Sequence, residues 1–202
     1  MAVSDQVPTG SGFDRHSTGD EVVTGLDLGG RTAVVTGGYS GIGLETVRVL
    51  AANGVTCVVG VRSPEKAADA LAGVEGDVRT APLDLGDLAS VRAFAGAVVD
   101  EHDRLDLLVN NAGIMANPLT RVGPGWESQL GTNHLGHHAL TTALLPRLVR
   151  TPGARVVALT STAHKLGGIR WDDPHFERDG YDKWRAYGQS KTANALFANA
   201  LS

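Results

Sequence analysis

The residues with the clearest chemical potential lie near the end of the chain, where Tyr187 is followed by Ser190 and Lys191. A phenol ordinarily ionises near pH 10, too high for ready proton exchange at neutrality. Tyr187 and Lys191 are four residues apart, so in a helix they share one face, and a nearby ammonium lowers the pKa of a phenol. A shift of about three units requires roughly 4 kcal/mol of differential stabilisation. The pair is compatible with an acid/base tyrosine, although without other motifs an ordinary surface helix pair is the better interpretation.

A hydroxyl that could polarise a substrate oxygen follows the apolar run at residues 155–160. Ser161 comes directly after this predicted buried strand. A donor held at a developing oxyanion stabilises it, as hydride transfer to a carbonyl requires. Thr160 and Thr162 also carry hydroxyls. The residue type alone therefore does not single out Ser161.

A glycine-rich segment separates the apolar run at residues 32–36 from a helical pattern at residues 41–53. Glycine permits a sharp turn and the close approach of a pyrophosphate, and the helix N-terminus then offers free N–H groups. A turn after a buried strand and before a helix predicts a dinucleotide-binding loop. The cofactor-binding residues expected here are Gly37, Tyr39, Ser40, Gly41, Ile42 and Gly43.

The end of the second predicted strand distinguishes between the two nicotinamide cofactors. A carboxylate there would bind a free ribose hydroxyl and repel a phosphate. The sequence instead has Arg62 and no acid, and arginine binds phosphate oxygens through its planar fork. NADP(H) is therefore favoured over NAD(H). The alternative is that Arg62 is a solvated loop residue, since the glycine loop itself has no basic side chain.

Strand and helix patterns alternate along most of the chain. Strands are predicted at residues 32–36, 55–60, 78–83, 105–109 and 155–160, and helices at residues 41–53, 64–71, 87–101, 126–150 and 183–202. The long helix at 126–150 is expected to be irregular near its glycines. This order predicts an α/β fold, a doubly wound parallel sheet in three αβα layers, with ligands at the carboxyl ends of the strands. Residues 1–29 are expected to be a flexible arm with one short helix near 19–26, and residues 30–202 the dinucleotide-binding and catalytic domain.

Several motifs fall in order on these elements: TGxxxGxG at residues 36–43, Asp84-Leu85, the NNAG segment at residues 110–113, Asn133, Ser161, and YxxSK at residues 187–191. This set resembles the short-chain dehydrogenase/reductase superfamily over about residues 26–202. Residues 41–50, 129–140 and 161–168 are most similar to its retinol-dehydrogenase-like branch, which includes the oxidoreductase part of the WW-domain-containing oxidoreductase.

The resemblance implies roles on the cofactor side. Asp84 would accept a hydrogen bond from the adenine amino group, and Leu85 would supply a backbone contact. Asn111, Ala112 and Gly113 would pass their backbone beside the cofactor ribose. Together with the glycine loop and Arg62, these residues complete the expected nucleotide site.

The resemblance also implies the catalytic roles. Ser161 would hold the substrate oxygen and Tyr187 would be the acid/base. Lys191 would bind the nicotinamide ribose and lower the pKa of Tyr187. The resemblance also counts Tyr187 and Lys191 among the cofactor-binding residues. Asn133 would hold a water that links Lys191 to solvent, or would merely satisfy the backbone of its helix.

The sequence therefore predicts an NADP(H)-dependent oxidoreductase that interconverts an alcohol with an aldehyde or ketone. The alternative is a non-catalytic dinucleotide-binding remnant of such an enzyme, because family members continue with two further strands whereas this chain stops at Ser202. The domain is accordingly expected to be incomplete at its C-terminus. A nucleotide-sugar epimerase or dehydratase shares the Tyr and Lys spacing but has a shorter glycine motif.

The segment at residues 164–186 contains four aromatic residues in a chain with few others. Trp171, Phe176, Tyr181 and Trp184 either line a wall for an apolar substrate or pack the loop onto the domain. These two interpretations are equally favoured by the sequence.

The amino-acid composition limits the kinds of partner that the chain is expected to bind. Eighteen basic and 22 acidic residues give a net charge of -4, without the basic excess typical of nucleic-acid binding. The single cysteine, Cys57, allows no internal disulfide and lies in a predicted buried strand. Neither a membrane span nor a secretory leader is evident, so a cytoplasmic protein is expected.

His134, His137 and His138 have metal-ligand spacing but lack an acidic or thiol partner, so no metal is expected. The two dimer-forming helices of the resembled family are partly present, which is compatible with a homo-oligomer.

Overall fold

The structure, a computed structural model, describes residues 10–178 and 180–202 as a central sheet covered by helices. The strands are β1 (Thr32–Thr36), β2 (Thr56–Val61), β3 (Val78–Pro82), β4 (Leu107–Asn110), β5 (Arg121–Val122), β6 (Trp126–Glu127) and β7 (Arg155–Ala158). The α-helices are α1 (Gly19–Val23), α2 (Gly41–Ala52), α3 (Pro64–Leu71), α4 (Leu88–Glu101), α5 (Ser128–Leu130), α6 (Gly136–Arg150) and α7 (Lys183–Leu201). A π-helical turn (Gly131–Leu135) joins α5 to α6, and a 3₁₀ helix (Thr162–Leu166) follows β7.

The main sheet has five parallel strands in the order β3-β2-β1-β4-β7. The chain moves outward from β1 in one direction through β2 and β3, and then returns to place β4 on the other side of β1. The winding therefore reverses between β1 and β4, which opens a crevice at their carboxyl ends. This confirms the predicted doubly wound sheet, the arrangement of a Rossmann fold.

Alternation along β1 supplies both faces of the sheet. Val34 belongs to the apolar cluster that packs α4 and α6 onto one face, while Val35 belongs to the cluster that packs α2 and α3 onto the other. Successive side chains of a strand point to opposite faces, so a fully buried strand needs apolar residues at each position. Two cores therefore hold the strand ends in place, and the ends carry the site.

The region predicted as one helix at residues 126–150 is instead composed of several elements. Strands β5 and β6 form a hairpin whose turn contains Gly123 and Gly125, both with positive φ. α5, the π-helical turn and α6 then follow without interruption. The irregularity expected near the glycines is thus present as a π-helical turn, and the hairpin before it was not predicted.

The N-terminal region contains the expected short helix, α1, at Gly19–Val23. Thr18 and Glu21 form a reciprocal capping box, and Asp20 forms an ion pair with Arg48 of α2 at 2.7 Å. Residues 1–9 of the predicted arm lie outside the described residues, and the domain boundary near residue 30 stays a prediction. Across residues 10–178 and 180–202, every helix is too short or too polar to cross a bilayer.

Candidate active site

The glycine loop turns sharply between β1 and α2. Gly37 has φ +64°, and a Cβ on it would lie 3.1 Å from the Cα of Ala112. A Cβ on Gly43 would lie 2.5 Å from the carbonyl oxygen of Gly37. Gly41 has φ +52° and faces open space. Gly37 and Gly43 therefore allow the loop to pack closely against neighbouring backbone. Gly41 leaves the N-terminus of α2 uncovered, so that a phosphate could approach its N–H groups.

A cavity opens above this loop at the crevice between β1 and β4. The residues that line it are Thr36, Gly37, Tyr39, Ser40, Gly60, Arg62, Leu83, Leu85, Asn111, Ala112, Gly113, Ile114 and Thr132. Ser40 is the N-cap of α2, but its hydroxyl does not bond to the helix backbone. The Ser40 hydroxyl is thus available to a ligand beside the helix N-terminus.

Gly41, Ile42 and Gly43 of the predicted loop do not line this cavity, and neither does Asp84 on the turn after β3. Its exposed carboxylate accepts a hydrogen bond from the Gly86 N–H at 2.8 Å, and its own N–H donates to the Ser90 hydroxyl at 2.9 Å. These bonds fix the turn after β3, which presents Leu85 to the cavity. The adenine role of Asp84 stays a prediction.

The hydroxyl of Thr36, the last residue of β1, organises the turn after β4. Its oxygen accepts hydrogen bonds from the backbone N–H groups of Asn111 at 3.0 Å and Ala112 at 2.9 Å. The side chain of Asn111 donates in return to the Thr36 carbonyl at 2.8 Å. This role of Thr36 was not predicted from the sequence, although a hydroxyl residue ends the apolar run of β1.

A second cavity shares Asn111, Gly113 and Ile114 with the first and continues it toward the C-terminal helix. The other residues that line it are Ile42, Met115, Leu159, Thr160, Ser161, Tyr187 and Lys191. The structure thus brings the predicted serine, tyrosine and lysine together in a cavity that adjoins the one above the glycine loop, and the two cavities are together called the cleft.

Lys191 is 5 % exposed, and its Nζ lies 5.7 Å from the centre of the Tyr187 ring. The Nζ donates a hydrogen bond to the Leu159 carbonyl at 3.1 Å. Burial lowers the pKa of Lys191 below its ordinary value. The ammonium is therefore poorly solvated and lies over the face of the Tyr187 ring.

The three neighbouring hydroxyls after β7 have different surroundings. Thr160 lines the cavity but donates its hydrogen to the Lys191 carbonyl at 2.9 Å. Ser161 also lines the cavity, and its oxygen accepts a hydrogen bond from the Ala163 N–H at 3.2 Å. Thr162 begins the 3₁₀ helix and is exposed. Ser161 is thus the member of the three that can point a hydrogen into the cavity.

Asn133 is buried in the π-helical turn, where its side chain clamps Ile114. The Oδ1 accepts from the Ile114 N–H at 2.8 Å, and the Nδ2 donates to the Ile114 carbonyl at 2.9 Å and to the Ser190 hydroxyl at 3.0 Å. A Cβ on Gly113 would lie 3.3 Å from the Oδ1 and 3.8 Å from the Nζ of Lys191. The amide and the ammonium therefore border the same space above Gly113. The bound water expected at Asn133 stays a prediction.

The aromatic residues of the 164–186 segment do not form the expected wall. Phe176 is buried against the ring of Tyr181, 5.3 Å away, and the Tyr181 hydroxyl bonds to Gln129 and to the Asn117 carbonyl. Trp171 is 82 % exposed and lies in a separate groove beside α7, while Trp184 is on the surface at the start of that helix. Of the two interpretations, the structure favours packing of the loop onto the domain, because none of the four side chains lines the cavity that contains Tyr187.

The three histidines of the long helical region have separate partners. His134 bonds to Asn194 at 3.2 Å, His137 bonds to Thr36 at 2.8 Å, and the His138 ring lies 5.2 Å from that of Phe197. Within the described part of the chain, no three His, Cys, Asp or Glu side chains are grouped as metal ligands.

Comparison with known proteins shows which family the chain is similar to. The family model described as short chain dehydrogenase matches residues 31–173. A "probable oxidoreductase" of Streptomyces lividans is 50% identical over 177 residues, which cover 85% of this chain and 59% of that protein. Retinol dehydrogenase 13 of Homo sapiens is 38% identical over 192 residues, covering 93% of this chain and 58% of that protein. The chain thus spans about 59% of the first of these relatives.

Solved structures give the same result. The crystal structure of an uncharacterised protein from Mycobacterium paratuberculosis matches with a TM-score of 0.79 and 45% identity, covering 87% of this chain and 62% of that one. The RhlG/NADP active-site complex of Pseudomonas aeruginosa matches with a TM-score of 0.70 and 32% identity, covering 87% of this chain and 67% of that one.

The fold and the cleft define a doubly wound α/β domain of the oxidoreductase class. The chain belongs to the short-chain dehydrogenase family and is similar to its retinol dehydrogenases. Family members bind a nicotinamide dinucleotide, and the turn that only glycines fit, together with the uncovered helix N-terminus, is compatible with such a ligand.

Proposed function

We propose that this chain is an NADP(H)-dependent oxidoreductase that interconverts an alcohol with an aldehyde or ketone. The observation that carries the proposal is that the two cavities of the cleft adjoin, with Asn111, Gly113 and Ile114 lining both. Ser161, Tyr187 and Lys191 line one end, and the glycine loop lines the other. An extended dinucleotide bound from the loop toward Lys191 would bring its reactive ring to the tyrosine. The chain spans about 59% of the Streptomyces lividans relative. The activity of the whole protein is therefore proposed and not shown.

A bound reduced nicotinamide would supply the hydride that adds to the substrate carbonyl. The residues of the chain handle the charge and the proton that accompany this step. The hydroxyl of Ser161 donates a hydrogen bond to the substrate oxygen, and the Tyr187 phenol delivers its proton to the same atom. The half-buried phenolate left behind is stabilised by the ammonium of Lys191. In the reverse direction the phenolate takes the proton back from the alcohol.

Arg62 supports the preference for NADP(H). It follows β2 and lines the nucleotide cavity, where its guanidinium is within reach of a phosphate on the adenosine ribose. Related solved structures include complexes with NADP, among them a metagenomic short-chain oxidoreductase that is 26% identical to this chain.

The residues at the mouth of the second cavity support an apolar substrate. Ile42 is 73 % exposed and Met115 is 60 % exposed, and both line this cavity beside Ile114. Exposed apolar side chains around a few convergent polar groups are typical of a site for an apolar ligand. These residues take the role that the sequence suggested for the tryptophans.

The proposal is tested by mixing the purified chain with NADPH and a panel of aldehydes and ketones while the absorbance of the nicotinamide is followed. We expect Tyr187→Phe to lower kcat by about 10²- to 10⁴-fold, because it removes the proton donor. Its affinity for NADPH, measured by fluorescence titration, should change little. Full activity in Tyr187→Phe would refute the mechanism. Binding of NADPH by the unsubstituted chain without any turnover would favour the non-catalytic alternative.

A further inference from the structure

His137 lies behind the cleft and connects its two halves. The side chain is buried in α6, between the end of β1 and the π-helical turn. Its Nε2 lies 2.8 Å from the Thr36 hydroxyl, and its Nδ1 lies 2.9 Å from the Asn133 carbonyl oxygen. One imidazole thus contacts both the residue that holds the turn after β4 and the residue that clamps Ile114.

The direction of these hydrogen bonds follows from counting donors and acceptors at Thr36. A hydroxyl has one hydrogen and two acceptor lone pairs. The Thr36 oxygen already accepts from the N–H groups of Asn111 and Ala112. Its single hydrogen therefore points to the His137 Nε2 at 2.8 Å, since the other acceptor, the Val109 carbonyl, is 3.4 Å away.

The Nε2 of His137 must consequently be unprotonated, and the proton of the neutral ring is on Nδ1. The Nδ1–H then donates to the Asn133 carbonyl, which has no hydrogen of its own to offer. A protonated imidazole would turn an N–H toward a Thr36 oxygen whose lone pairs are both occupied. The hydrogen-bond geometry thus selects one tautomer and excludes the imidazolium.

The charged surroundings act in the same direction. Burial lowers the pKa of His137 to about 4, although the hydrogen bond to the Asn133 carbonyl opposes this shift. The ionisable groups that act on the ring are Lys191 of α7 and His134 of its own helical region, and both lower the pKa further. The groups supplied by β1 are the uncharged Thr36 side chain and backbone.

We propose that His137 is a positioning residue, kept as the neutral Nδ1–H tautomer, which couples the nucleotide-binding turn to the π-helical turn of the catalytic end. This inference rests on the proposed function of the cleft. Through Thr36 the imidazole fixes the Asn111 and Ala112 backbone beside the cofactor. Through the Asn133 carbonyl it fixes the side chain that holds Ile114 between the two cavities.

The tautomer is tested directly by ¹⁵N NMR of histidine-labelled protein. We expect the His137 Nδ1 to be protonated and the Nε2 to be unprotonated from neutral pH down to about pH 5. A proton on Nε2, or an imidazolium at neutral pH, would overturn the inference. This measurement requires neither nucleotide nor turnover, so it is independent of the proposed activity.

Two substitutions separate the two bonds. His137→Asn keeps a donor at the Nδ1 position and loses the acceptor for Thr36, whereas His137→Gln keeps an acceptor near the Nε2 position and loses the donor to Asn133. We expect the Asn variant to weaken NADPH binding by about 3- to 10-fold, the usual worth of one hydrogen bond. The Gln variant should keep its NADPH affinity and lose kcat by a similar factor.

His102→Gln is the matched control, because His102 is also a buried histidine but lies at the end of α4, away from the cleft. It should lower stability without changing NADPH affinity. Equal NADPH affinities in the Asn and Gln variants would mean that His137 has only a structural role. If the unsubstituted chain binds no nucleotide but has the Nδ1–H tautomer, the proposed function fails and the hydrogen-bond assignment stands.

Discussion

Lys191 donates a hydrogen bond to the Leu159 carbonyl, and the Thr160 hydroxyl donates to the Lys191 carbonyl. Lys191 is thus bound to the segment that follows β7 through both its side chain and its backbone. Because these contacts occupy only one of the three ammonium hydrogens, the others remain able to bind a ribose hydroxyl or stabilise the phenolate. At the scale of the residue, backbone carbonyls orient the cation without neutralising it.

In the proposed function, the choice between NADP(H) and NAD(H) depends on Arg62. We expect Arg62→Gln to weaken NADPH binding by about 10- to 100-fold, because a hydrogen bond between charged groups contributes about 1.5–3 kcal/mol. Binding of NADH, which lacks the phosphate, should change less than threefold. Isothermal titration with both cofactors measures the two affinities.

Arg92→Gln serves as the control for this experiment, since Arg92 is an exposed arginine on α4, outside the residues that line the cavity. It removes the same charge from the molecule and should leave both affinities unchanged. Equal losses for NADPH and NADH in Arg62→Gln would show that Arg62 does not read the phosphate.

At the scale of the element, the start of α2 depends on its contact with the glycine loop that precedes it. Gly43 is buried in the first turn of this helix, and a Cβ there would lie 2.5 Å from the Gly37 carbonyl oxygen. A close contact with backbone atoms cannot be relieved by rotating a side chain. The helix must therefore move away from the loop if any larger residue replaces the glycine.

We expect Gly43→Ala to lower the free energy of unfolding by about 1–3 kcal/mol, the usual cost of overpacking. It should also weaken nucleotide binding, because displacement of α2 moves its N-terminal N–H groups. Urea denaturation and NADPH titration measure the two effects. Gly96→Ala is the matched control: Gly96 is a helical glycine of α4 with open space around its Cβ position, and this change should stabilise by about 0.5–1 kcal/mol. Stability equal to that of the original chain in Gly43→Ala would contradict the packing argument.

The elements were predictable wherever a local pattern determined them. β1 and α3 have the predicted bounds, because an apolar run before glycines and a proline at the first helical position are local signals. The β5–β6 hairpin was missed because its strands have only two residues each, too few to show alternation. Its existence depends on contacts with the distant loop, such as the bond from the Glu127 N–H to His175.

The candidate site was predictable to the same extent. Ser161, Tyr187 and Lys191 were identified from residue type and motif, and the structure brings them together. Thr36 and His137 were not identified, because their roles depend on a contact between two residues that are 101 positions apart in the sequence. No local pattern reports such a contact. The role of the tryptophans was left open for a related reason, since a loop's composition does not say which way its side chains face.

At the scale of the whole molecule, the two apolar cores meet on either side of the central strands, so opening one exposes the other. Cys57 of β2 lies in the core formed with α2 and α3 and has 0 % of its surface exposed. Burial, together with the charge of Asp77, raises the pKa of its thiol to about 12. Since the thiolate is the reactive form, Cys57 cannot be modified until the domain opens.

Cys57 therefore reports the opening of the entire domain. A thiol reagent should modify it at a rate proportional to the unfolded fraction, and NADPH at about 100 times its Kd should slow this modification about 100-fold, since ligation contributes about 2.7 kcal/mol. Ser202→Cys, at the exposed end of α7, provides a second thiol whose rate should not depend on NADPH. Rapid modification of Cys57 in native buffer would contradict the cooperative packing of the two cores. Slow modification at a rate that NADPH leaves unchanged would instead mean that Cys57 becomes exposed while the nucleotide cleft stays folded.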